Sequence, residues 1–392
     1  MARKKVWLGL LGFFLAFSVY GIKSPTQGEL PDFRKIEPQI FAKLVKYFSP
    51  GELEQAFKKI GCDKIQTLMN YSGEEGRKYL LANTPKEYHP VLEKYKPQKP
   101  ASEAELWKIY PEISAGLLNA LSQDKYLKFL DETTEIERGV EAHFMSWQGL
   151  GKFFRNLDFS KHQALLDHTP DWVLLDIGLI RYQTIKDYEC IVYKQERVKG
   201  HLQGVEKILL KYREKPLSIY MKWLDGPFKG RETLYNEAIY KEKVRVREGG
   251  SGLSDRILGV VPAWLGLYTE LAHRGSNHYV TEIGLKNLLD MIKKDYMKSK
   301  GTNDIKRKNH GIQEVDGHKV YVMESILPKD PNKGYYCYRM IHYIDYLRSL
   351  EIKAVMYNWD DQLYESYTYT QIKINPGLKD IDFDPNNPEY RL

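Results

Sequence analysis

The sequence has few cysteines, no long basic run and no paired metal-ligand motif. Three cysteines in 392 residues allow at most one internal disulfide, which excludes a small disulfide-stapled scaffold. The 59 lysines and arginines are interspersed with 52 aspartates and glutamates, so the charge pattern of a nucleic-acid-binding surface is missing. No Cys-x-x-Cys pair and no histidine pair at i, i+4 spacing is present. The sequence therefore predicts no nucleic-acid partner, no metal site and no cofactor.

The composition that is present supports a large core with an unusual aromatic content. Hydrophobic residues make up 42% of the chain, which is typical of a globular protein. Tyrosine, at 29 residues, outnumbers phenylalanine at 14, and 21 of the tyrosines lie at or beyond Tyr182. The second half of the chain is therefore rich in the amphipathic rings of tyrosine, which either line a cavity with a solvated edge or form a surface that contacts another protein.

The amino terminus has the pattern of an export signal. Arg3, Lys4 and Lys5 precede an uncharged run from Val6 to Ile22. A basic segment followed by such a run predicts a secretory signal peptide over residues 1–21, with an uncleaved anchor as the alternative. Its removal lowers the net charge from +7 to +4 and leaves a periplasmic or secreted protein with at most a peripheral membrane association.

The spacing at which hydrophobic residues recur divides the remaining chain into two regions, and this division predicts an α+β protein. Residues 25–180 show helical spacing with clear start signals, such as the capping box of Ser49 and Glu52. From about Lys186 the period becomes two, as in Leu217–Leu224, and turn signals separate successive runs. We expect a helical domain over residues 25–180 and an antiparallel sheet domain over 181–392, with an inserted helix from about Thr281 to Lys298.

One face of the predicted strands is apolar and has to be covered, by a solid core or by a cavity. If a cavity forms, the helix from Ile283 to Ile292 would act as its lid, and Arg197 and Arg231 would form a polar rim. Charged residues within strands, namely Lys194, Glu196 and Arg231, are expected to form cross-strand pairs on the solvated face in at least two of the three cases. The candidate lining residues are Ile191, Tyr193, Ile208, Leu210, Tyr212, Leu217, Ile219, Met221, Trp223, Ile283 and Leu288.

Two further features have a structural and a chemical interpretation. Cys190 and Cys337 lie in strand-like stretches, where they either form a disulfide or act as small buried hydrophobes. The tail carries alternating carboxylates at Asp380 and Asp382, as a calcium loop does, but it lacks the glycine and the final acidic residue of such a loop. These carboxylates are therefore expected to tie down the last segment.

Four segments together resemble a known bacterial family. Tyr188–Arg197, Lys215–Leu224, Lys229–Tyr235 and the tail Ile374–Tyr390 resemble domain-of-unknown-function family 1571, over roughly residues 181–392. That family is more remotely similar to the lipoprotein carrier LolA. The resemblance implies an incomplete, curved antiparallel barrel that is closed by helices, holds acyl chains and has no enzymatic activity.

The sequence thus favours an exported, non-enzymatic envelope protein that binds a lipid, an acyl chain or a lipoprotein. The alternative is an interaction or sensor module with a solid-core sheet and an envelope protein as partner. A secreted hydrolase is a third hypothesis, although no local catalytic signature is present. An outward, contiguous group of tyrosines would favour the interaction module, and the diagnostic positions are Tyr220, Tyr336, Tyr338, Tyr367 and Tyr369.

Overall fold

The computed structural model describes residues 22–250, 261–273 and 275–392, so the predicted signal peptide lies outside the described residues. The chain forms two compact units. Among the described residues, the first unit, which we call the helical unit, comprises those up to Ile177 together with Leu347–Ser349, and the second, the sheet unit, comprises those of Gly178–Tyr346 and Leu350–Leu392. A helical region followed by a large antiparallel sheet confirms the α+β fold class.

The helical unit contains a short hairpin and a series of helices. The hairpin pairs Ile22–Ser24 (β1) with Gly28–Leu30 (β2). The helices are α1 (Phe33–Val45), α2 (Pro50–Ile60), α3 (Cys62–Asn83), α4 (His89–Glu93), α5 (Glu103–Asn119), α6 (Gln123–Glu132), α7 (Glu135–Asn156), α8 (Phe159–His168) and α9 (Asp171–Tyr182). The last residues of α9 belong to the sheet unit.

Side-chain caps set the beginnings of several of these helices. Ser49, Ser102 and Thr134 precede α2, α5 and α7, and each accepts a hydrogen bond from the backbone N–H three residues later. In each case the residue at that third position is a glutamate that bonds back to the cap, which satisfies two otherwise unpaired donors. The capping box predicted at Ser49 is thereby confirmed.

A glycine in α7 gives a test of packing within the helical unit. A Cβ added at Gly139 would lie 1.9 Å from an atom of the buried Trp172 ring. We expect Gly139→Ala to lower the free energy of unfolding by about 1–3 kcal/mol through overpacking, as measured by urea denaturation. The control is Gly51→Ala in α2, where the added Cβ meets open space and helix propensity should leave stability unchanged or slightly higher. A Gly139→Ala protein as stable as the control would contradict this packing.

In its described residues, the sheet unit is built around one open antiparallel sheet, with two α-helices that lie wholly within the unit. Its strands are β3 (Asp187–Val198), β4 (His201–Leu202), β5 (Glu206–Arg213), β6 (Ser218–Asp225), β7 (Glu232–Asn236), β8 (Lys243–Arg247), β9 (Ala263–Gly266), β10 (Lys306–Val315), β11 (His318–Ile326), β12 (Arg339–Asp345), β13 (Leu350–Tyr357) and β14 (Leu363–Ile374). The helices are α10 (Glu237–Tyr240) and α11 (Leu285–Ser299). The strand order is β10-β11-β12-β13-β14-β3-β5-β6-β7-β8-β9, with β4 beside β3, and the sheet does not close.

The carboxyl-terminal tail covers part of one face of this sheet, which we call the outer face. Tyr220 and Leu234 are buried there against Phe383, and the Tyr390 ring stacks on Tyr220 with a centroid distance of 3.7 Å. Two ion pairs anchor the same segment, between Lys211 and Asp382 at 2.6 Å and between Arg213 and Asp380 at 2.7 Å. The tail carboxylates therefore tie down the last segment, as expected from the sequence.

The cysteines do not form a bridge. Cys190 and Cys337 are buried as free thiols, and Cys62 is exposed. Burial raises the pKa of the Cys190 thiol and, to about 12, that of Cys337, so neither is a reactive thiolate at neutral pH. Of the two interpretations left open by the sequence, the buried-hydrophobe one is confirmed.

Candidate ligand cavity

A cavity of about 540 Å³ lies within the sheet unit, between the inner face of the sheet and helix α11 with the loop that precedes it. This volume falls within the usual range for small-molecule sites. Leu285, at the start of α11, donates its backbone N–H to Tyr188 Oη on β3 at 3.2 Å, which joins the helix to the sheet. The apolar part of the cavity wall comprises Ile208, Met221, Val280, Ile283, Leu288 and Met291.

Strand register explains which predicted residues reach the cavity. On β5 and β6, Ile208 pairs with Trp223, Leu210 with Met221 and Tyr212 with Ile219, so all six share the inner face. The structure places Ile208, Met221, Trp223, Ile283, Leu288 and Arg231 in the cavity wall. Leu210, Tyr212 and Ile219 are buried on the same face without lining the cavity, and Leu217 lies just before β6 and is half-buried.

The prediction for β3 selected the wrong face. Ile191 and Tyr193 do not line the cavity, and the Tyr193 side chain is exposed. The inner face of β3 instead carries Val192, which pairs with Ile208, and Lys194, which pairs with Glu206. Successive side chains of a strand point to opposite faces of the sheet. The prediction chose Ile191 and Tyr193 because they are more hydrophobic than Val192 and Lys194, and this choice assigned the wrong face of β3 to the cavity.

The polar rim was also only partly predicted. Arg231 lines the cavity, but Arg197 does not, since its Nε donates to the carbonyl oxygen of Leu363 at 3.0 Å. The expectation that most of Lys194, Glu196 and Arg231 lie on the solvated face is wrong, because all three are buried. A buried charge needs partners, and the inner face supplies them as a cluster.

Lys194 stands at the centre of that cluster. Its Nζ lies 3.4 Å from Glu206 Oε1 on β5 and 3.6 Å from Glu196 Oε2 on the same strand. The indole Nε1 of Trp223 donates to the other oxygen of Glu206. Burial raises the pKa of Glu206, and the ammonium of Lys194 partly offsets that rise.

A second cluster fastens the loop before α11 to the sheet. Glu365 on β14 accepts hydrogen bonds from Tyr336 Oη at 2.7 Å and from Asn277 Nδ2 at 2.9 Å, and its Oε2 lies 3.1 Å from His278 Nε2. Burial lowers the pKa of His278, but the carboxylates of Glu282 and Glu365 outweigh this and raise it to about 10. His278 is therefore an imidazolium at neutral pH, and we call Asn277, His278 and Glu365 the loop latch.

Glu196 extends the attachment of the same loop. It accepts hydrogen bonds from the backbone N–H of Asn277 at 2.8 Å and from Tyr367 Oη at 2.6 Å. Sequence reasoning missed Glu365 and His278. The sequence did contain a signal for Glu365. Glu365, Tyr367 and Tyr369 are alternate residues of β14 and therefore share one face of the strand. A charged residue on an otherwise aromatic, buried face indicates a polar site. His278, in a loop, has no periodic signal.

The diagnostic tyrosines do not form an outward patch. Tyr336, Tyr367 and Tyr369 line the cavity, Tyr220 is buried under the tail and Tyr338 is half-buried. Of the 21 tyrosines at or beyond Tyr182, five thus line the cavity, namely Tyr279, Tyr335, Tyr336, Tyr367 and Tyr369. This placement removes the observation that would have favoured an interaction module.

Among the residues that the structure describes, no group of three or more His, Cys, Asp or Glu side chains is arranged to hold a metal ion. Within the same residues, no helix combines the length and the hydropathy that a membrane crossing requires.

The fold and the cavity define a class of proteins in which an open antiparallel sheet and a covering helix enclose an amphipathic cavity. The chain belongs to the family described as protein of unknown function (DUF1571), whose model matches residues 185–392. All of the cavity residues named above lie within that match. No curated protein matches the chain in sequence.

Several solved structures show a distant likeness to slightly more than half of the chain. The lipoprotein LppX of Mycobacterium tuberculosis is 15% identical, with 55% of this chain and 100% of that chain covered at a TM-score of 0.33. The LolA superfamily protein NE2245 of Nitrosomonas europaea is 11% identical, with 51% and 91% covered at a TM-score of 0.23. MucB of Pseudomonas aeruginosa, in its complex with MucA, is 14% identical, with 54% and 60% covered at a TM-score of 0.31. At these identities and scores, none of the three transfers a ligand or a partner to this chain.

Proposed function

We propose that this protein is a non-enzymatic protein of the bacterial envelope that binds the acyl chain of a lipid or lipoprotein in the cavity of its sheet unit. The observation that carries the proposal is the cavity of about 540 Å³, whose wall is divided between apolar side chains and buried polar or charged ones. An amphiphile matches such a division, because its chain and its head group need different surroundings. The predicted signal peptide supports an envelope location.

The apolar wall supplies the affinity in this proposal. Each methylene group that leaves water for a wall such as that of Ile208, Met221 and Leu288 contributes ~0.8 kcal/mol. Part of that gain is lost to the ordering of a flexible chain, so we expect micromolar rather than picomolar binding. Entry and release require α11 and its preceding loop to move, and the loop latch opposes that movement.

Binding can be tested with the uncharged fluorescent dye N-phenyl-1-naphthylamine and a substitution that fills the cavity. Met291 lines the cavity from α11, so Met291→Trp should weaken dye binding by at least about tenfold, or ~1.4 kcal/mol. Met297→Trp is the matched control, since Met297 lies on the same helix, is exposed and does not line the cavity. We expect this control to bind the dye as the wild-type protein does.

A second measurement looks for the natural ligand. Protein purified from a bacterial host without detergent is extracted with organic solvent, and the extract is analysed by mass spectrometry. We expect acyl-containing compounds at near-stoichiometric amounts, and less of them with Met291→Trp. Absence of dye binding together with a lipid-free extract would reject the proposed function.

A further inference from the structure

Lys194 and Glu206 present a donor and an acceptor side by side in the cavity wall. Lys194 Nζ lies 3.4 Å from Glu206 Oε1 and 3.6 Å from Glu196 Oε2, both longer than the 2.7–2.9 Å of a charge-assisted hydrogen bond. Glu206 Oε1 accepts no hydrogen bond from the residues that the structure describes. The side chains of Lys194 and Glu206 are 7% and 1% exposed, so bulk water does not form hydrogen bonds with them. Both line the cavity.

The position of the pair is fixed by its surroundings. Lys194 and Glu206 are directly opposite each other in the β3–β5 register, which holds the two side chains on the same face. Trp223 Nε1 holds Glu206 through Oε2, so Oε1 is the oxygen that is left for another donor. A buried acceptor without a partner costs free energy that a suitable ligand would recover.

The charges around the pair disfavour an anion. Two carboxylates, Glu196 and Glu206, already oppose the single ammonium of Lys194. The neighbouring cations that are not exposed are also engaged, since His278 pairs with Glu365 at 3.1 Å and Arg231 lies 3.5 Å from Glu248. Lys294 lines the cavity from α11 as well, but its side chain is exposed to solvent and does not belong to the buried cluster. A buried anionic head group would therefore add a charge for which the cluster has no spare cation, and it would bring no proton to Glu206 Oε1.

We infer that Lys194 and Glu206 bind an uncharged head group that carries both a hydrogen-bond donor and an acceptor, namely an amide or a hydroxyl-bearing ester. This inference rests on the proposed function. The ammonium of Lys194 donates to the carbonyl or hydroxyl oxygen of the ligand, and Glu206 Oε1 accepts the N–H or O–H of the same group. The cavity thereby selects neutral amphiphiles over free fatty acids with the same chain.

The test is competitive displacement of bound N-phenyl-1-naphthylamine from the full chain at pH 7.5 by lauramide, monolaurin and laurate, all below their aggregation concentrations. These compounds share one acyl chain and differ in the head group. We expect lauramide or monolaurin, or both, to displace the dye at a concentration at least about tenfold lower than laurate, and their ranking distinguishes an amide from a hydroxyl ester.

Variants locate the selectivity at the pair. Lys194→Met should reduce the preference for the neutral compound to less than about threefold. Lys207→Met is the matched control. Lys207 is next to Glu206 in sequence but lies on the opposite face of β5, where its Nζ is 5.8 Å from the centroid of the Tyr193 ring, and it does not line the cavity. Glu206→Gln is the second variant in case Lys194→Met does not fold, and it should likewise narrow the difference, because it removes one negative charge and replaces an acceptor by a donor.

Each result has one meaning. Laurate that displaces the dye as well as both neutral compounds would overturn the inference and leave the proposed lipid binding intact. A wild-type preference that both Lys194→Met and Glu206→Gln retain would show that other residues read the head group, which also overturns it. Failure of the wild-type protein to bind the dye would reject the proposed function, and this inference with it.

Discussion

Replacing Glu365 with alanine is expected to lower the free energy of unfolding of the sheet unit by about 3–5 kcal/mol. Glu365 is fully buried and accepts hydrogen bonds from Tyr336 and Asn277 in addition to its ion pair with His278. Its pKa is lowered, because the contacts with His278 and Tyr336 outweigh the effect of burial, so it is a carboxylate at neutral pH. The alanine variant would leave the half-buried imidazolium of His278 without its nearer carboxylate, and Tyr336 and Asn277 without this acceptor.

Urea denaturation measures this loss, and hydrogen exchange locates it. Amides of the loop before α11 and of α11 itself should exchange faster in Glu365→Ala, because this carboxylate holds that loop to β14. Glu189→Ala is the control on the same sheet. Its side chain is 25% exposed and pairs with the exposed Lys373, so its removal should cost less than ~1 kcal/mol. A loss of similar size for the two variants would show that the loop latch does not stabilise the sheet unit.

The helical unit is expected to lose about 3 kcal/mol of stability between pH 4 and pH 9 through a single carboxyl group. Glu37 in α1 is 2% exposed, and burial raises its pKa from 4.5 to about 7 despite the hydrogen bond that it accepts from Ser72 Oγ at 2.6 Å. The folded state thus favours the protonated form. This contribution is fully present below pH 4.5 and is lost as the pH rises through 7.

Glu37→Gln tests this assignment, because glutamine is neutral at every pH and still offers an oxygen to Ser72. The variant should flatten the pH profile and be more stable than the wild-type protein at pH 9, as measured by urea denaturation and by hydrogen exchange in α1 and α3. Glu75→Gln removes an exposed carboxylate from α3 and controls for the loss of one charge. An unchanged slope in Glu37→Gln would assign the pH dependence to other groups.

The sequence predicts the elements of this protein better than it predicts the polar part of the cavity. The sequence pattern is sufficient for features that depend on a single helix or strand. The cap at Ser49 is one example. The alternation on β6, which correctly assigns Ile219, Met221 and Trp223 to one face, is another. On β3, both faces contain hydrophobic residues, and the burial of Lys194 depends on a glutamate from the adjacent strand. Such pairing is a tertiary property that a single-strand pattern does not contain.

The loop latch shows the same limit at longer range. Asn277 and His278 meet Glu365 across 88 and 87 positions of the chain. No periodicity connects a loop residue to a strand so far away, and a histidine with a pKa of about 10 arises only once two carboxylates surround it. The sequence therefore predicts part of the apolar wall of the cavity, namely Ile208, Met221, Ile283 and Leu288, while the charged cluster becomes visible only in the assembled sheet.

The strand order has a consequence for biosynthesis. β14, which follows all other described strands of the sheet in sequence, lies between β13 and β3, so it joins strands that are otherwise separate parts of the sheet. Until residues 363–374 leave the ribosome, β3 lacks its main partner on that side and exposes unpaired backbone groups, which are templates for aggregation. The sheet unit therefore completes its folding only after residues 363–374 have been synthesised, and a chain in which β14 has not yet docked lacks the pairing that joins the two parts of the sheet.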